Sequence, residues 1–188
     1  TTFAQELKNL IERAKKGRSN SFLNGTKTIS ISKPKRELNE LIEVFQPKIK
    51  LNDMVLDKQV RESLDRVIEE QKKVELLRQH NLTPKRKLLL TGLTGCGKTM
   101  TAQALAGELG LTVFIIRLDG LMSKFMGESI AKLRMIFDAM EDHRGVYLFD
   151  EFDSIGAQRD QGQDVGEIKR VLNSFLINIE KDQSNSIV

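Results

Sequence analysis

Three glycines, a lysine and a threonine lie close together near the middle of the chain. Gly92, Gly97, Lys98 and Thr99 fit the pattern G-x-x-x-x-G-K-[ST], in which a loop binds a polyphosphate. Glycines here let backbone N–H groups turn toward a phosphate, and the N-terminus of a following helix adds partial positive charge. We predict that Gly92-Leu93-Thr94-Gly95-Cys96-Gly97-Lys98-Thr99 binds a nucleotide, with Lys98 on the β- and γ-phosphates and Thr99 on Mg²⁺. The alternative is a glycine-rich turn that binds nothing.

A pair of carboxylates follows a short apolar run further along the chain. Val146-Tyr147-Leu148-Phe149 suits a buried parallel strand, and Asp150 and Glu151 come directly after it. Charge at the end of a buried strand needs a partner, and a metal–phosphate site supplies one. We predict that Asp150 holds the Mg²⁺ shell and that Glu151 polarises an attacking water, while Lys98 assists on the phosphates. An exposed loop that happens to be acidic is the alternative.

The elements that must position these residues alternate along the second part of the chain. From residue 51 onward, helical and strand-like patterns follow one another: helix 57–80, strand 88–90, helix 98–109, strand 113–118, helix 128–141, strand 146–150 and helix 166–180. Such alternation predicts an α/β fold, a parallel sheet sandwiched by helices. Both motifs then fall beyond the carboxyl ends of strands, where ligands bind in such sheets. Residues 186–188 resemble the beginning of another strand.

Residues 1–50 form a separate, basic arm in this interpretation, and residues 51–188 form the α/β body. Residues 3–16 show the apolar spacing of an amphipathic helix, and residues 17–34 resemble a linker. Leu38, Leu41, Ile42 and Phe45 are spaced for a second helix that ends before Pro47. The arm is therefore predicted to be mostly helical. It either docks on a partner or a second copy, or packs against the body.

Composition restricts the class of protein. The chain has 188 residues, and no apolar run approaches the ~18 residues of a membrane span. Its one cysteine, Cys96, excludes an internal disulfide framework and favours a cytoplasmic location. Cys96 lies near a predicted helix N-terminus, so it is either a redox-sensitive thiol or simply a small residue in a tight loop.

Charge is distributed unevenly between the two parts. Residues 1–50 carry eleven lysines and arginines against five acidic residues, a net +6, whereas residues 51–188 carry a net −2. A basic arm favours an acidic partner or nucleic acid, although a solvated surface has the same composition. The chain has no tryptophan and one tyrosine, so the interleaving of aromatic and basic residues that single-strand binders use is missing.

Over residues 51–188 the chain resembles the AAA branch of the AAA+ ATPases, which includes the AAA proteases, katanin-like severing enzymes and segregase-type unfoldases. The order and spacing of several motifs carry this resemblance. They are Leu51-Asn52-Asp53-Met54-Val55-Leu56, the phosphate loop, Lys124-Phe125-Met126-Gly127-Glu128-Ser129, Asp150-Glu151-Phe152-Asp153-Ser154-Ile155-Gly156 and the helical run that begins at Glu167. The fold it implies is the large α/β subdomain of such a protein, in incomplete form.

The resemblance implies roles for further residues. Met54 and Val55 would line the adenine pocket, and Met100 would join the loop residues as a nucleotide contact. Phe125, Met126 and Gly127 would form a pore loop in a homo-oligomeric ring, a hexamer in the full-length protein. An aromatic side chain there grips any extended polypeptide by apolar contact. Arg159 would lie at the interface between subunits. The alternative for Phe125 and Met126 is an ordinary place in the core.

Two departures from the family pattern bear on activity. Leu93 and Thr94 stand where many members have two prolines, which leaves backbone phosphate binding intact but alters the stiffness of the loop. The family also has a polar sensor residue, trans-acting arginines, a fifth strand and a helical lid after the position of Val188. A neighbour's arginine is worth about 10³ to 10⁵ in rate in related phosphoryl transfers. We therefore expect this chain by itself to hydrolyse ATP slowly.

Three functions are consistent with these residues. The preferred one is an ATP- and Mg²⁺-dependent hydrolase that remodels or unfolds protein substrates through a ring pore, with the arm recruiting a substrate or adaptor. The second is a nucleic-acid-handling ATPase that uses the +6 arm on DNA. The third is a nucleotide-binding interaction module without turnover. The pore-loop motif favours the first, because it indicates grip on a polypeptide.

Overall fold

A computed structural model describes Asn9 and residues 42–118, 128–151 and 165–188. Its elements, in chain order, are strand β1 (Ile42–Phe45), a 3₁₀ turn (Leu51–Asp53), helices α1 (Lys58–Lys72), α2 (Val74–Gln79) and α3 (Lys98–Leu109), strand β2 (Thr112–Arg117), helix α4 (Glu128–Asp142), strand β3 (Gly145–Asp150) and helix α5 (Val165–Lys181). The last three helices and β2 and β3 lie within one residue of their predicted bounds. Within these ranges, no helix is both long and apolar enough to cross a lipid bilayer.

The three strands form one sheet in the order β1–β2–β3. β2 and β3 are parallel, from Thr112 opposite Gly145 to Arg117 opposite Asp150. This pairing, with α4 as the crossover between the two strands, confirms the predicted α/β class. It also brings the carboxyl ends of β2 and β3 to one edge, so Arg117 and Asp150 are neighbours.

The sheet extends past β3 through the last residues of the chain. Ile187 makes a parallel bridge to Val146, and Tyr147 N donates to Ile187 O at 2.7 Å. On its other side, Leu88 N donates to Val188 O at 2.7 Å and Val188 N donates to Arg86 O at 2.7 Å. The strand predicted over 88–90 is wrong, because the structure describes these residues without a strand. Leu88 makes a backbone hydrogen bond to Val188, whereas Leu89 is 88% exposed.

Helices cover both faces of the sheet, because the side chains of β2 alternate between two clusters. Phe114 and Ile116 pack with residues of α4 and α5. Val113 and Ile115 pack with residues of α1 and α3 on the opposite face. All four of these strand residues are buried. This two-sided burial confirms that helices sandwich the sheet, and it holds the loop before α3 in a defined place.

The predicted helix around Leu38, Leu41, Ile42 and Phe45 is wrong over the part that the structure describes. Ile42–Phe45 is strand β1, which pairs antiparallel with β2 and places Ile42 opposite Ile116. Ile42 and Val44 face one cluster and Phe45 packs against the other, which is the period of a strand. The β-branched residues Ile42 and Val44 favour this conformation once β2 offers an edge. The division of the chain at residue 50 remains a prediction.

The single helix predicted over residues 57–80 is also wrong. Asp57 caps α1 by accepting a hydrogen bond from Gln59 N at 2.9 Å, as a helix start requires. A turn at Lys73 then separates α1 from α2. Leu64, Val67 and Ile68 face inward as predicted, whereas Val60 is 47% exposed and Leu76 is 52% exposed. Periodicity alone did not reveal the turn or the exposure of these two side chains.

Candidate functional site

The glycine-rich loop lies between residues 86–88 of the sheet and the first turn of α3. Gly95 and Gly97 have φ of 81° and 90°, a region that side-chain-bearing residues rarely adopt. Gly97 is also the N-cap of α3. A Cβ on Gly92 would lie 2.5 Å from Cys96 Sγ, so the loop closes tightly on itself. Residues 92–96 are exposed, and a ligand can therefore reach their backbone.

Lys98 lies back across the start of this loop. Its Nζ donates to Gly92 O at 2.9 Å and to Leu93 O at 3.0 Å. These two carbonyls hold the ammonium beside the backbone that the motif assigns to phosphate. The side chain thus supplies a positive charge to an exposed loop, in which a bound anion would be stabilised.

Thr99 and Asp150 meet although they are 51 residues apart in sequence. Thr99 Oγ1 donates to Asp150 Oδ2 at 2.8 Å, and Glu151 N donates to Asp150 Oδ1 at 2.9 Å. α3 supplies the hydroxyl and the carboxyl end of β3 supplies the carboxylate. Hydroxyl and carboxylate oxygens are the donors that Mg²⁺ prefers. The residues that the sequence assigned to Mg²⁺ therefore form a contiguous oxygen set that fits this ion.

Glu151 has a backbone conformation that is uncommon for its residue type, with φ of 58°. Its Oε2 lies 3.6 Å from Arg117 Nη2, and both side chains are 47% exposed. Sequence reasoning found no role for Arg117. The feature that could have indicated a role is the parallel pairing of β2 with β3, which places Arg117 opposite Asp150 at the same edge of the sheet. The pair therefore brings opposite charges together at the edge of the sheet where Asp150 lies.

The remaining residues that were predicted to contact the nucleotide differ in their exposure and in their contact with the phosphate loop. A Cβ on Gly97 would lie 3.8 Å from Met54 Cε, so Met54 packs against the loop. Val55 and Leu93 are almost fully exposed, at 105% and 85%, and Met100 is 39% exposed. Exposed apolar side chains beside a phosphate loop are available to an aromatic base. Thr94 and Cys96 are exposed loop residues.

Some predicted site residues lie outside the described ranges. These are Phe125, Met126 and Gly127 of the pore-loop segment and Arg159. Glu128 and Ser129, which follow that segment, begin α4. The pore and the subunit interface therefore remain predictions.

A cavity of about 580 Å³ opens beside the loop. Its polar end includes Gly92, Lys98, Asp150 and Glu151, and the remainder is mostly apolar, between β3 and residues 88–90. Ile187 and Val188 lie between β3 and residues 86–88, where Tyr147 N donates to Ile187 O and Leu88 N donates to Val188 O. We assign only the polar end to the candidate site, because the apolar part continues the space between two strands. In the described residues, His, Cys, Asp and Glu form no cluster of three with metal-binding geometry.

Comparison with known proteins agrees with this geometry. Residues 88–188 match the family model described as "ATPase family associated with various cellular activities (AAA)". The chain is 35% identical to the uncharacterised AAA family ATPase y4kL of Sinorhizobium fredii over 77% of its own length and 44% of that protein. It is 34% identical to the proteasome-activating nucleotidase of Thermococcus onnurineus over 75% of its length and 36% of that protein.

A third relative is the ATP-dependent zinc metalloprotease FtsH of Halothermothrix orenii, 29% identical over 86% of this chain and 25% of that protein. The chain thus spans less than half of the length of each of these three relatives. The family model nevertheless begins at Leu88 and includes the phosphate loop, β2, β3 and the Asp150–Glu151 pair. This chain belongs to the AAA family of ATPases.

Proposed function

We propose that this chain binds ATP with Mg²⁺ and hydrolyses it, and that the protein of which it forms the nucleotide-binding part uses the energy to remodel protein substrates. The observation that carries the first half is the contact between Thr99 and Asp150 at 2.8 Å, directly beside the glycine-rich loop. A phosphate loop and an oxygen donor set at one edge of a sheet are what a metal–nucleotide complex requires.

Each residue of the loop has a distinct task in this proposal. Gly95 and Gly97 adopt positive φ, which allows successive backbone N–H groups to face an anion. Lys98 exchanges its carbonyl partners for phosphate oxygens and neutralises their charge. Thr99 and Asp150 hold Mg²⁺, which when bound offsets negative charge on the phosphates.

Glu151 is the residue that we assign to the attacking water. It follows Asp150 directly and is therefore tied to the Mg²⁺ ligand through the backbone, with Glu151 N bonded to Asp150 Oδ1. Its carboxylate is 47% exposed, so water can reach it. A carboxylate that accepts a proton or a hydrogen bond from water contributes typically about 10² to 10⁴ in rate.

A binding titration tests the nucleotide half of the proposal. Lys98→Ala should weaken ATP binding by at least about tenfold, because one charge-assisted contact to phosphate is lost. Lys58→Ala is the matched control, since Lys58 is an exposed lysine on α1 that lies 3.9 Å from Glu62. Equal affinities of wild type and Lys98→Ala, measured calorimetrically, would exclude the assigned loop as the phosphate site.

The second half rests on the pore-loop segment and on the relatives. One relative is named as a proteasome-activating nucleotidase and another as an ATP-dependent zinc metalloprotease, so both names connect nucleotide use with a protease. We propose that Phe125 and Met126 grip polypeptide in a homo-oligomeric ring, probed in the full-length protein by Phe125→Ala. ATP hydrolysis should persist while substrate processing stops. Unchanged processing would remove this role.

The basic arm supports a second candidate, an ATPase that handles nucleic acid. Its net charge of +6 would release counterions on binding DNA, so affinity should fall steeply with salt. Fluorescence anisotropy with duplex and single-stranded DNA at about 50 mM salt measures this directly. Absence of binding there rejects the candidate and leaves a protein substrate or adaptor as the partner of the arm.

A further inference from the structure

A second cleft, of about 500 Å³, lies at the edge of the sheet opposite the phosphate loop. Its lining includes Arg86, Arg144 and Asn185. Each of these residues lies at or just before the start of one of three neighbouring parallel segments, namely residues 86–88, β3 and residues 186–188. β3 separates the two edges with six residues, on the order of 20 Å. We call this space the arginine cleft; Gln71, Glu75 and Arg78 also line it.

One of its three arginines is fully engaged in the structure. Arg86 donates through Nη1 to the carboxylate of Asp182 and through Nη2 to the carbonyl oxygen of the same residue. The Asp182 side chain is only 2% exposed and that of Arg86 is 19% exposed. Arg86 and Asp182 therefore form a closed, neutral pair that makes the floor of the arginine cleft.

A second arginine is held in place but remains accessible. Arg78 Nη1 donates to Glu75 Oε1 at 3.2 Å, and Arg78 Nη2 donates to Asn185 Oδ1 at 2.9 Å. Its side chain is 51% exposed. These two bonds fix the guanidinium plane at the wall of the cleft while part of its N–H fork faces solvent.

The third arginine has a neutral partner. Arg144 Nη2 donates to Gln71 Oε1 at 3.2 Å, and Gln71 Nε2 donates to Lys85 O at 2.9 Å. Gln71 is 5% exposed, so its amide is locked with the oxygen toward Arg144. Among the described residues, no carboxylate makes an ion pair with Arg144. The cleft consequently holds one positive charge in excess, on a guanidinium that a buried amide orients.

We propose that the arginine cleft binds a small oxyanion, a phosphate or carboxylate group of a small ligand, between Arg144 and Arg78. A planar guanidinium fork matches both groups in geometry and charge. The cleft volume lies within the range of small-molecule sites. The arginine cleft shares no lining residue with the cavity beside the phosphate loop, so its ligand would be a second one, separate from the nucleotide.

NMR titration of the ¹⁵N-labelled chain tests the proposal with two probes, inorganic phosphate and succinate. The side-chain Nε–Hε signals of Arg78 and Arg144 report the arginine cleft. The backbone amides of Gly95 and Gly97 report the phosphate loop separately, so failure of one site is distinguishable from failure of the other. We expect saturable shifts of Arg78 and Arg144 with Kd of about 1–10 mM for at least one probe. The probe that saturates identifies the ligand group.

Variants of Arg144 test whether oxyanion binding depends on the planar guanidinium group or only on a positive charge. Arg144→Gln should weaken the titration at least about tenfold, and Arg144→Lys, which keeps the charge, should weaken it severalfold. Arg66→Gln is the control, because Arg66 is a 69%-exposed arginine of α1 that already pairs with Glu70 at 3.0 Å and does not line the arginine cleft. Equal, non-saturating shifts of all arginines, or an unchanged Kd in Arg144→Gln, overturn the proposal. Far-UV circular dichroism verifies that each variant is folded.

Discussion

The Thr99 hydroxyl and the Asp150 carboxylate are joined by a hydrogen bond of 2.8 Å across the junction of α3 and β3. The packing of α3 on β2 and β3 sets the backbone positions of both residues. The oxygen donors of the candidate Mg²⁺ site are therefore preorganised. Preorganisation lowers the cost of binding, since the side chains are ordered beforehand.

Replacing Thr99 should affect nucleotide binding only when Mg²⁺ is present. In Thr99→Ala one oxygen of the site is lost, and we expect ATP affinity to fall by about tenfold with Mg²⁺ and by less than about twofold in EDTA. Calorimetric titration under the two conditions measures both values. Thr99→Ser keeps the hydroxyl and should behave like wild type. An equal loss with and without the metal would show that Thr99 supports the loop rather than the ion.

Local sequence was sufficient to predict the loop, the helix that follows it and strand β3. The glycine spacing, the start of α3 after Gly97 and the strand before Asp150 all depend on residues that are close in sequence. Each carries its own signal, a positive-φ glycine or an apolar run. The approach of Thr99 to Asp150 then follows from parallel-sheet topology, without any knowledge of the contact itself.

Features that depend on distant partners were not predictable in this way. Ile42–Phe45 has apolar spacing that suits either a helix or a strand, and pairing with β2 decides the outcome. Arg117 acquires a place in the site only because β2 and β3 run in register to the same edge. The turn at Lys73 has no glycine or proline to mark it. At Ile42–Phe45 tertiary pairing decides between two conformations that local propensity leaves open.

Arg117 should influence turnover through Glu151 rather than through nucleotide binding. In the full-length protein we expect Arg117→Ala to lower kcat by about tenfold with little change in ATP affinity, because Arg117 Nη2 lies 3.6 Å from the carboxylate of Glu151, the residue that we assign to the attacking water. In a Glu151→Gln background the same change should have no further effect, since residues that act as a unit are not additive. Arg134→Ala, an exposed arginine on α4, is the control. Additive losses in the double variant would separate Arg117 from Glu151.

Gly107 should be intolerant of any side chain. A Cβ at this position would lie 2.1 Å from Ile49 O, which is backbone and cannot rotate away. We expect Gly107→Ala to destabilise the fold by about 1–3 kcal/mol, even though alanine favours a helix. Gly166→Ala in α5 is the matched control, because its Cβ would meet nothing within 4 Å. It should be neutral or slightly stabilising. Urea denaturation compares the two, and similar stabilities would show that residues 47–49 move aside readily.

Glu70 should make the stability of the fold depend on acid pH. Lys85 N donates to Glu70 Oε2 at 2.8 Å, and this bond, opposed by partial burial and assisted by Arg66, lowers the pKa of the carboxyl. The folded state therefore favours the charged form. Its contribution is fully present above the unfolded pKa of about 4.3 and is lost as the pH falls through the lower folded value.

Glu70→Gln should accordingly cost about 1 kcal/mol at pH 7, the net value of a hydrogen bond, and almost nothing at pH values below the folded pKa. Urea denaturation of wild type and variant at several pH values between 7 and 3 gives the difference directly. Glu69→Gln provides the comparison, because Glu69 is 70% exposed and pairs with Lys73 at 3.7 Å on the helix surface. It should show no such pH dependence. A Glu70→Gln penalty that persists undiminished into acid would mean that shape, rather than carboxylate charge, supports the contact with Lys85.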